Sequence, residues 1–515
     1  MPFADVIVNM PAPHHEIMRV HSRAFRTWLA GTYYRSSGRP LPARAMADGL
    51  AVLSAIAVFD GPERQVGLRI AAHCGAIYLD LADPLWRVVE IDRVGWRILD
   101  RSPIPFRRPR GMRPLPEPVQ GGSLEDLRAF VNVRDDDQFY LLAGWLIAAF
   151  RPTGPYLALV LTGEQDSAKS TTARLLRLLI DPNEVGDRSL PRDDQSLAIA
   201  AANSWIASFD NVSTLADWQS DALARLATGA GFGARQLYSD DEEFLIHVAR
   251  PVILNGIGGI VTRADLMDRA LVVDLPSIPD HRRRPEEEFY GAFELARPRL
   301  LGALLDATAA ALEHHDQVVI PRMPRMADAA RWITAAEGAL GWPEGSFLAA
   351  YQANRTSSRR LTFEASPLAA PIKRLLETGD WSGSATELLD ALEERAGDAV
   401  IKRRDWPRSA QQLGTDLRRL APDLRRLDRI EIVFSRLGSG RAITLVQVHE
   451  PLSQPSRSSP GADPEDIDPD SRSSKCPNLG PPSAAGSIPS EIVGIRSESS
   501  DDIPSIHRGV VDRRP

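Results

Sequence analysis

A short loop between an apolar run and a helical pattern constrains the fold of this chain more than any other stretch. The apolar run is 156–161, and the segment 172–180 has leucines at helical spacing. A strand, a tight loop and a helix N-terminus form the context of a phosphate-binding P-loop, because backbone N–H groups and the helix dipole favour an anion there. The loop, which would bind ATP, consists of Gly163, Glu164, Gln165, Asp166, Ser167, Ala168, Lys169, Ser170 and Thr171.

Two residues depart from the P-loop pattern G-x-x-x-x-G-K-[ST]. Ala168 replaces the second glycine, and Asp166 introduces a carboxylate beside the expected polyphosphate. Alanine is sterically acceptable at position 168 if the local φ is negative, but it costs free energy if φ is positive. The Asp166 carboxylate is compatible with a phosphate only if it points outward.

Polar residues at the ends of two further apolar strands support a nucleotide site. Asp210 follows the run 204–209, and Asn255 follows the run 251–254. In such a site the lysine contacts the β- and γ-phosphates, while a Ser or Thr hydroxyl and a strand-terminal carboxylate hold Mg²⁺. Lys169, Ser170 and Asp210 are the candidates for these roles. Each residue alone also fits a helix cap or a surface charge, and it is their order that favours the site.

The net charge, the cysteine content and the length of the apolar runs exclude several classes of function. A formal net charge of −7 excludes a globally basic nucleic-acid binder, so any DNA contact has to be local. Cys74 and Cys476 are the two cysteines, which excludes a disulfide framework and a four-cysteine zinc site and fits a cytoplasmic location. No apolar run approaches the ~18 residues that a membrane span requires.

The regions on either side of the α/β pattern differ from it in hydrophobic periodicity and composition. Residues 12–60 predict two helices, with Ile17 as the first apolar position, and residues 66–99 predict a meander of short strands. The Pro- and Arg-rich segment 103–120 predicts a linker. Residues 285–355 are helical in pattern, and residues 449–515 are too poor in apolar side chains to fold alone.

Residues 366–448 predict three helices followed by a β-hairpin, the order of a winged helix-turn-helix. Arginines cluster near the third helix, and this favours DNA contact over a small α+β adaptor with a solvated basic face. The cluster comprises Arg403, Arg404, Arg408, Arg418, Arg419, Arg425 and Arg426.

We therefore predict an α/β chain with a P-loop NTPase core. The predicted parts are an N-terminal α+β region with linker, the ATPase core, a helical lid, a winged-helix-like domain and a disordered tail. Their bounds are 1–120, 121–284, 285–362, 363–448 and 449–515.

Five stretches carry a resemblance to a known family: GEQDSAKST, NSWIASFDN, RLATGAGFGARQLYSDDEE, RPVILNGI and ADLMDRALVVDLP. They resemble the AAA+ ATPase domain of superfamily-three-type helicases, particularly the poxvirus- and phage-type primase-helicases of prophages and mobile elements. The resemblance implies ATP and Mg²⁺ as cofactors, Asn255 as the sensor and Arg269 as an arginine finger that acts on a neighbouring subunit. It also implies that Arg235 and Tyr238 contact single-stranded DNA.

The same resemblance implies a homo-oligomeric ring, of which a hexamer is one form. Related proteins often join a primase to this motor, but residues 1–120 supply neither cysteine ligands nor a cluster of carboxylates. We therefore predict no primase activity for this chain, and a primase would be a separate partner. Asn211 departs from the family, because many AAA+ proteins carry Glu there. An amide orients water but cannot accept its proton, so slow hydrolysis or a base from elsewhere is expected.

Three functions compete on this basis. The favoured one is a Mg-ATP-dependent DNA helicase or translocase that replicates a phage or mobile element. The alternative is a slow nucleotide switch or DNA-binding scaffold that loads other replication proteins. A small-molecule kinase fits the P-loop alone, but the Asn255–Arg269 order and the winged-helix pattern disfavour it.

Overall fold

The computed structural model describes residues 2–9, 13–235, 243–246, 248–261, 263–403, 405–437 and 440–448. The predicted disordered tail lies outside these residues. Among the helices within them, none is long and apolar enough to cross a membrane.

A β-hairpin begins the chain and corrects the prediction of helix from residue 12. Strands β1 (Phe3–Val8) and β2 (His14–Arg19) pair antiparallel, with Ile17 opposite Asp5. The prediction was wrong because main-chain bonds to a partner strand decide the conformation of this segment. Two helices follow as expected, α1 (Arg23–Ser37) and α2 (Ala43–Phe59).

The predicted meander is confirmed as one antiparallel sheet in chain order. Its strands are β3 (Ile70–His73), β4 (Ala76–Asp80), β5 (Val88–Ile91) and β6 (Trp96–Leu99).

The segment 103–120 is packed against this sheet and is not a free linker. Phe106 and Leu115 are buried, and the Leu115 N–H donates to the Leu81 carbonyl. Arg108 pairs with the Asp80 carboxylate at 2.6 Å. The Pro and Arg content misled the prediction, because Arg108 binds a carboxylate of the sheet and Arg107 donates to Asn203 Oδ1 and the Ala202 carbonyl instead of pointing into solvent.

The central region alternates helices and strands, as predicted. A 3-10 helix (Leu124–Ala129) precedes its regular elements. These are α3 (Asp136–Ala149), β7 (Ala158–Thr162), α4 (Lys169–Ile180), α5 (Asp194–Ala202), β8 (Ala207–Phe209), α6 (Asp217–Thr228), β9 (Phe232–Arg235), β10 (Glu243–Ile246), β11 (Val252–Asn255), α7 (Ala264–Met267) and β12 (Ala270–Asp274).

Four of these strands form a parallel sheet in the order β12-β7-β11-β8. Strand β7 therefore lies inside the sheet, and β11 separates it from β8. The expected parallel α/β architecture is confirmed. Strands β9 and β10 form a separate antiparallel hairpin between α6 and β11.

Three helices follow a second 3-10 helix (Asp280–Arg282): α8 (Glu286–His314), α9 (Ala327–Ala336) and α10 (Ser346–Ala365). Their apolar faces join one buried cluster that runs from Ile70 of the meander to Tyr351 of α10. The hydrophobic core thus crosses the predicted bounds at 120 and 284.

The C-terminal region has its own core and confirms the predicted helices and hairpin. The structure adds strand β13, which completes a sheet in the order β13-β15-β14. The elements are α11 (Ala369–Leu376), β13 (Trp381–Gly383), α12 (Ala385–Ala396), α13 (Asp398–Ile401), α14 (Ala410–Leu427), β14 (Ile430–Leu437) and β15 (Gly440–Gln447).

A buried ion pair joins the meander to the parallel α/β region. Arg69 Nε lies 3.2 Å from Asp181 Oδ1, and both side chains are fully buried. Arg69 also donates to the carbonyls of Asp80 and Arg113, each at 2.9 Å. Asp181 Oδ2 accepts the N–H groups of Trp205 and Ile206. Each charge is therefore compensated by several polar contacts.

We expect Asp181→Ala to lower the free energy of unfolding by about 3–5 kcal/mol, because it leaves the Arg69 charge buried without a counter-ion. Urea unfolding followed by circular dichroism measures the change. Asp137→Ala, at an exposed position of α3, is the control and should shift stability by under about 0.5 kcal/mol. A loss at position 181 no larger than the control would contradict a structural role for the pair.

Candidate functional site

The parallel sheet brings the predicted site residues to one edge. The P-loop stretch 163–171 follows β7, Asp210 follows β8 and Asn255 is the last residue of β11. Because these strands are parallel and adjacent, their carboxyl ends lie side by side. Ligands of open α/β sheets bind at this edge.

Hydrogen bonds connect the three strand ends. Ser170 Oγ donates to Asp210 Oδ1 at 3.1 Å. The backbone N–H of Asn211 donates to the same carboxylate at 2.7 Å and contacts Asn255 Oδ1 at 3.2 Å. Asn255 is buried, and its Nδ2 has no hydrogen-bond partner within the described residues. This amide is therefore a donor available to a group that enters the site.

The Lys169 ammonium lies inside the curve of the loop. Its Nζ donates to the carbonyls of Gly163 and Glu164 at 3.0 and 2.5 Å, and to Ser167 Oγ at 3.1 Å. These oxygens hold a positive charge at the centre of the loop.

Positive backbone φ angles shape the loop. Gly163 has φ 147°, and a Cβ there would meet the Leu275 carbonyl oxygen at 2.4 Å, so only glycine fits. Ala168 has φ 62°. Of the two conformations considered for Ala168, the strained one is therefore present, at a cost of about 1–2 kcal/mol.

The chain after β12 braces the loop from outside. The Ile278 N–H donates to the Asp166 carbonyl at 3.0 Å, and Ser277 Oγ donates to the Glu164 carboxylate at 3.1 Å. Arg283 pairs with the Asp166 carboxylate at 3.1 Å. The Asp166 side chain thus points outward to Arg283, and no pattern along the chain indicated these partners.

Asn211 also has a positive φ, 55°. Asparagine tolerates the left-handed region better than most residues, so the backbone favours the amide at this position. The Asn211 side chain is exposed, and it is the Asn211 backbone N–H that hydrogen-bonds to Asp210 Oδ1 and Asn255 Oδ1.

Asp187 is a carboxylate beside this site that sequence reasoning missed. Residues 187–188 run alongside β8, since Arg188 bridges Phe209 and its carbonyl accepts the Asp210 N–H at 2.8 Å. Ser208 Oγ donates to Asp187 Oδ1 at 3.1 Å, and Asp187 Oδ2 is buried with no hydrogen-bond partner among the residues that the structure describes. Burial, reinforced by the charge of Asp210, raises the pKa of the Asp187 carboxyl.

Arg269 lies at the opposite edge of the sheet. It precedes β12, its carbonyl accepts the N–H of Ala158 at the start of β7, and its guanidinium pairs with Asp265. It is therefore remote from the loop of its own chain. Arg235 ends β9, and Tyr238 lies outside the described residues.

Metal-ligand clusters do not occur in the part of the chain that the structure describes: no three His, Cys, Asp or Glu side chains come together. A cation at the loop edge would therefore depend on Ser170, Asp210 and ligands from outside the protein.

Two family models match consecutive parts of the chain. Residues 124–357 match the actinomycete integrative conjugative element replication protein, and residues 368–459 match the AICE RepA C-terminal domain. The chain resembles a mobile-element replication protein. No curated protein matches it. Mobile-element replication is thus supported, whereas superfamily three is not.

Solved structures are similar at low identity. The apo structure of the NrS-1 C-terminal region (305–718) is 12% identical, with 87% of this chain and 95% of that chain covered and a TM-score of 0.38. The X-ray structure of JCV helicase is 13% identical, with 43% and 70% covered and a TM-score of 0.20. At these scores neither structure carries a functional argument.

We expect Ala168→Gly to raise the free energy of unfolding by about 0.5–1 kcal/mol, because glycine adopts the left-handed conformation without steric cost. Urea midpoints at an unchanged denaturant slope measure the effect. Ala47→Gly, at an exposed helical position in α2, is the matched control and should destabilise by about 0.5–1 kcal/mol. Destabilisation by both substitutions would contradict strain at position 168.

Proposed function

We propose that this chain is a Mg²⁺-ATP-dependent DNA helicase or translocase-type ATPase that acts in replication of a mobile genetic element. The contact between Ser170 and Asp210, beside Lys169 and Asn255, carries the proposal. These four residues bring together, at one edge of the sheet, the lysine ammonium, the serine hydroxyl, the aspartate carboxylate and the asparagine amide that a nucleotide-hydrolysing site requires.

The residues present fit a Mg²⁺-nucleotide. Mg²⁺ binds through one or two protein oxygens together with waters and substrate phosphates, so Ser170 and Asp210 suffice as its protein ligands. Lys169 would exchange its contacts with loop oxygens for phosphate oxygens. When bound, the metal neutralises charge on the phosphates. Asn255 Nδ2, buried and unpartnered, would position the attacking water.

Asp187 fits the role of the base that Asn211 lacks. A carboxylate with a raised pKa and an unpartnered oxygen accepts a proton more readily than an ordinary aspartate does. Ser208 orients this carboxylate through its other oxygen. The proposal therefore assigns proton acceptance to Asp187 and leaves Asn211 to connect Asp210 with Asn255.

The C-terminal region supplies a surface for DNA. Helix α14 buries leucines on one face and exposes arginines on the other, with Arg418 and Arg425, and likewise Arg419 and Arg426, seven residues apart. Residues at this spacing share a helix face. Helices α11, α12 and α14 with the β13-β15-β14 sheet resemble a winged helix, and such an exposed basic helix suits phosphate contacts.

A slow nucleotide switch that loads replication proteins is the second candidate. The amide of Asn211 favours it, because a site without a base at that position hydrolyses slowly. Stimulation of hydrolysis by single-stranded DNA separates the two, since a motor couples hydrolysis to its track. A ring, and with it the use of Arg269 on a neighbouring subunit, is part of the helicase proposal.

We expect Lys169→Ala to lower steady-state Mg²⁺-ATP hydrolysis by about 100-fold or more, because a charge that stabilises the transferring phosphate is lost. Lys402→Ala, at an exposed position of the C-terminal region, is the control and should leave hydrolysis without DNA unchanged. Equal turnover of Lys169→Ala and the unsubstituted protein would refute the site. Addition of single-stranded DNA to the unsubstituted protein should raise its rate.

We expect Asp187→Asn to lower kcat by about 100-fold with little change in KM for ATP, because the amide still accepts from Ser208 but cannot accept a proton. Asp137→Asn on α3 is the matched control and should retain full activity. A rise in KM at constant kcat would assign Asp187 to nucleotide binding instead and would remove it as the base.

A further inference from the structure

A cavity of about 580 Å³ lies at the amino edge of the parallel sheet, opposite the P-loop. Residues just before β7, β8 and β11 line it on one side, and residues of the N-terminal region line it on the other. Thr228, Gly229 and Val248 also line it, and they flank the β9–β10 hairpin in the chain. The cavity therefore lies where the two strands of that hairpin join the rest of the α/β region, a place that we call the hairpin root.

Three arginines line this cavity, and no carboxylate from the described part of the chain lines it with them. They are Arg19 of β2, Arg107 of the packed segment after β6, and Arg250 just before β11. Burial, together with the like charges of Arg19 and Arg250, lowers the pKa of Arg107 to about 10. Within the described ranges no acidic side chain forms an ion pair with Arg107. The cavity thus concentrates positive charge in a chain whose net charge is −7.

Neutral oxygens fix two of these arginines in place. Arg107 Nη1 donates to Asn203 Oδ1 at 3.1 Å and its Nη2 donates to the Ala202 carbonyl. Arg250 Nε donates to the carbonyls of Ala201 and Ser204, each at 3.0 Å. Carbonyl contacts orient the guanidinium groups without neutralising them. Such preorganised charge suits an anion that arrives from solution.

The aromatic residues of the cavity already have partners. The Tyr156 hydroxyl donates to the Arg151 carbonyl, and Trp205 Nε1 donates to the Ala149 carbonyl. Both rings are buried, and Arg250 lies over the face of Trp205 at 5.1 Å. No ring of this pair is left to stack on a base. The cavity is suited to a phosphate and not to a nucleobase.

We propose that this cavity binds backbone phosphate of single-stranded DNA that passes the root of the β9–β10 hairpin. The inference rests on the proposed DNA-dependent function and adds a contact site distinct from the P-loop and from helix α14. A volume of about 580 Å³ accepts the sugar-phosphate unit of one strand but not a duplex, whose major groove alone is about 12 Å wide. Recognition by phosphate alone makes the contact independent of sequence.

Fluorescence anisotropy with a labelled oligothymidylate, measured over a range of salt, tests the site in the full chain. Arg107→Gln should weaken binding about tenfold at low salt and should lower the slope of log K against log salt by about 0.7, the value for one lost phosphate contact with a single strand. Arg19→Gln is the second variant, because this exposed side chain can be changed without disturbing the core. Arg26→Gln, exposed on α1, changes the net charge equally and should leave the slope unchanged.

The outcomes separate this inference from the proposed function. If Arg107→Gln and Arg19→Gln bind DNA like Arg26→Gln while hydrolysis still depends on Lys169, the cavity inference is overturned and the ATPase proposal stands. If DNA binding is unchanged but calorimetry with inorganic phosphate shows weaker binding by Arg107→Gln, the site takes free phosphate and the DNA assignment is overturned. If the unsubstituted protein does not bind the oligonucleotide, the proposed DNA function itself fails. Basal hydrolysis without DNA should be equal in Arg26→Gln and the unsubstituted protein.

Discussion

The buried pair between Arg69 and Asp181 is the constraint on which the arrangement of the two sheets depends. Asp181 directly follows α4, the helix that begins at Lys169, and its second oxygen accepts the N–H groups that lead into β8. One carboxylate therefore fixes the end of the P-loop helix, the approach to Asp210 and the meander. The Arg69 and Asp181 charges can be buried only because each side chain makes several further hydrogen bonds. Burial nevertheless lowers the pKa of Arg69. Loss of Arg69 or Asp181 would therefore disturb the carboxyl edge of the parallel sheet as well as the contact between the two sheets.

The carboxyl edge combines rigidity and strain. Its strands are buried on both faces, so the ends that present Asp210 and Asn255 have little freedom. The loop, by contrast, has left-handed residues at positions 166 and 168, and Asn211 opposite them is left-handed too. Strain of this kind persists only where surrounding contacts enforce it, and the segment 276–283 provides them. The departure from the glycine pattern is thus accommodated by tertiary contacts.

The two edges of the parallel sheet divide the chemistry between them. The carboxyl edge presents a lysine, a hydroxyl and carboxylates, which suit a metal-bound polyphosphate. The amino edge presents Arg19, Arg107 and Arg250 beside the hairpin root, which suit phosphate without a metal. Strand β11 connects these edges, because Arg250 precedes it and Asn255 ends it. A shift of β11 would displace residues at both edges of the sheet. Such a mechanical link is required if the proposed hydrolysis is coupled to bound DNA.

Elements with a local signal in the amino-acid sequence could be predicted without the structure. The apolar run, loop and helix around Lys169 predicted β7 and α4, and the meander, the parallel pattern and the C-terminal hairpin followed from periodicity and turn residues. Tertiary structure decided the rest. Residues 14–19 became a strand because residues 3–8 pair with them. Residues 103–120 packed because Arg108 binds the Asp80 carboxylate of the meander and the Leu115 N–H donates to the Leu81 carbonyl. Asp187 lies beside the site because its neighbour Arg188 bridges Phe209, and Arg69 meets a partner 112 residues away. Such contacts depend on distances in space, which periodicity along the chain does not encode.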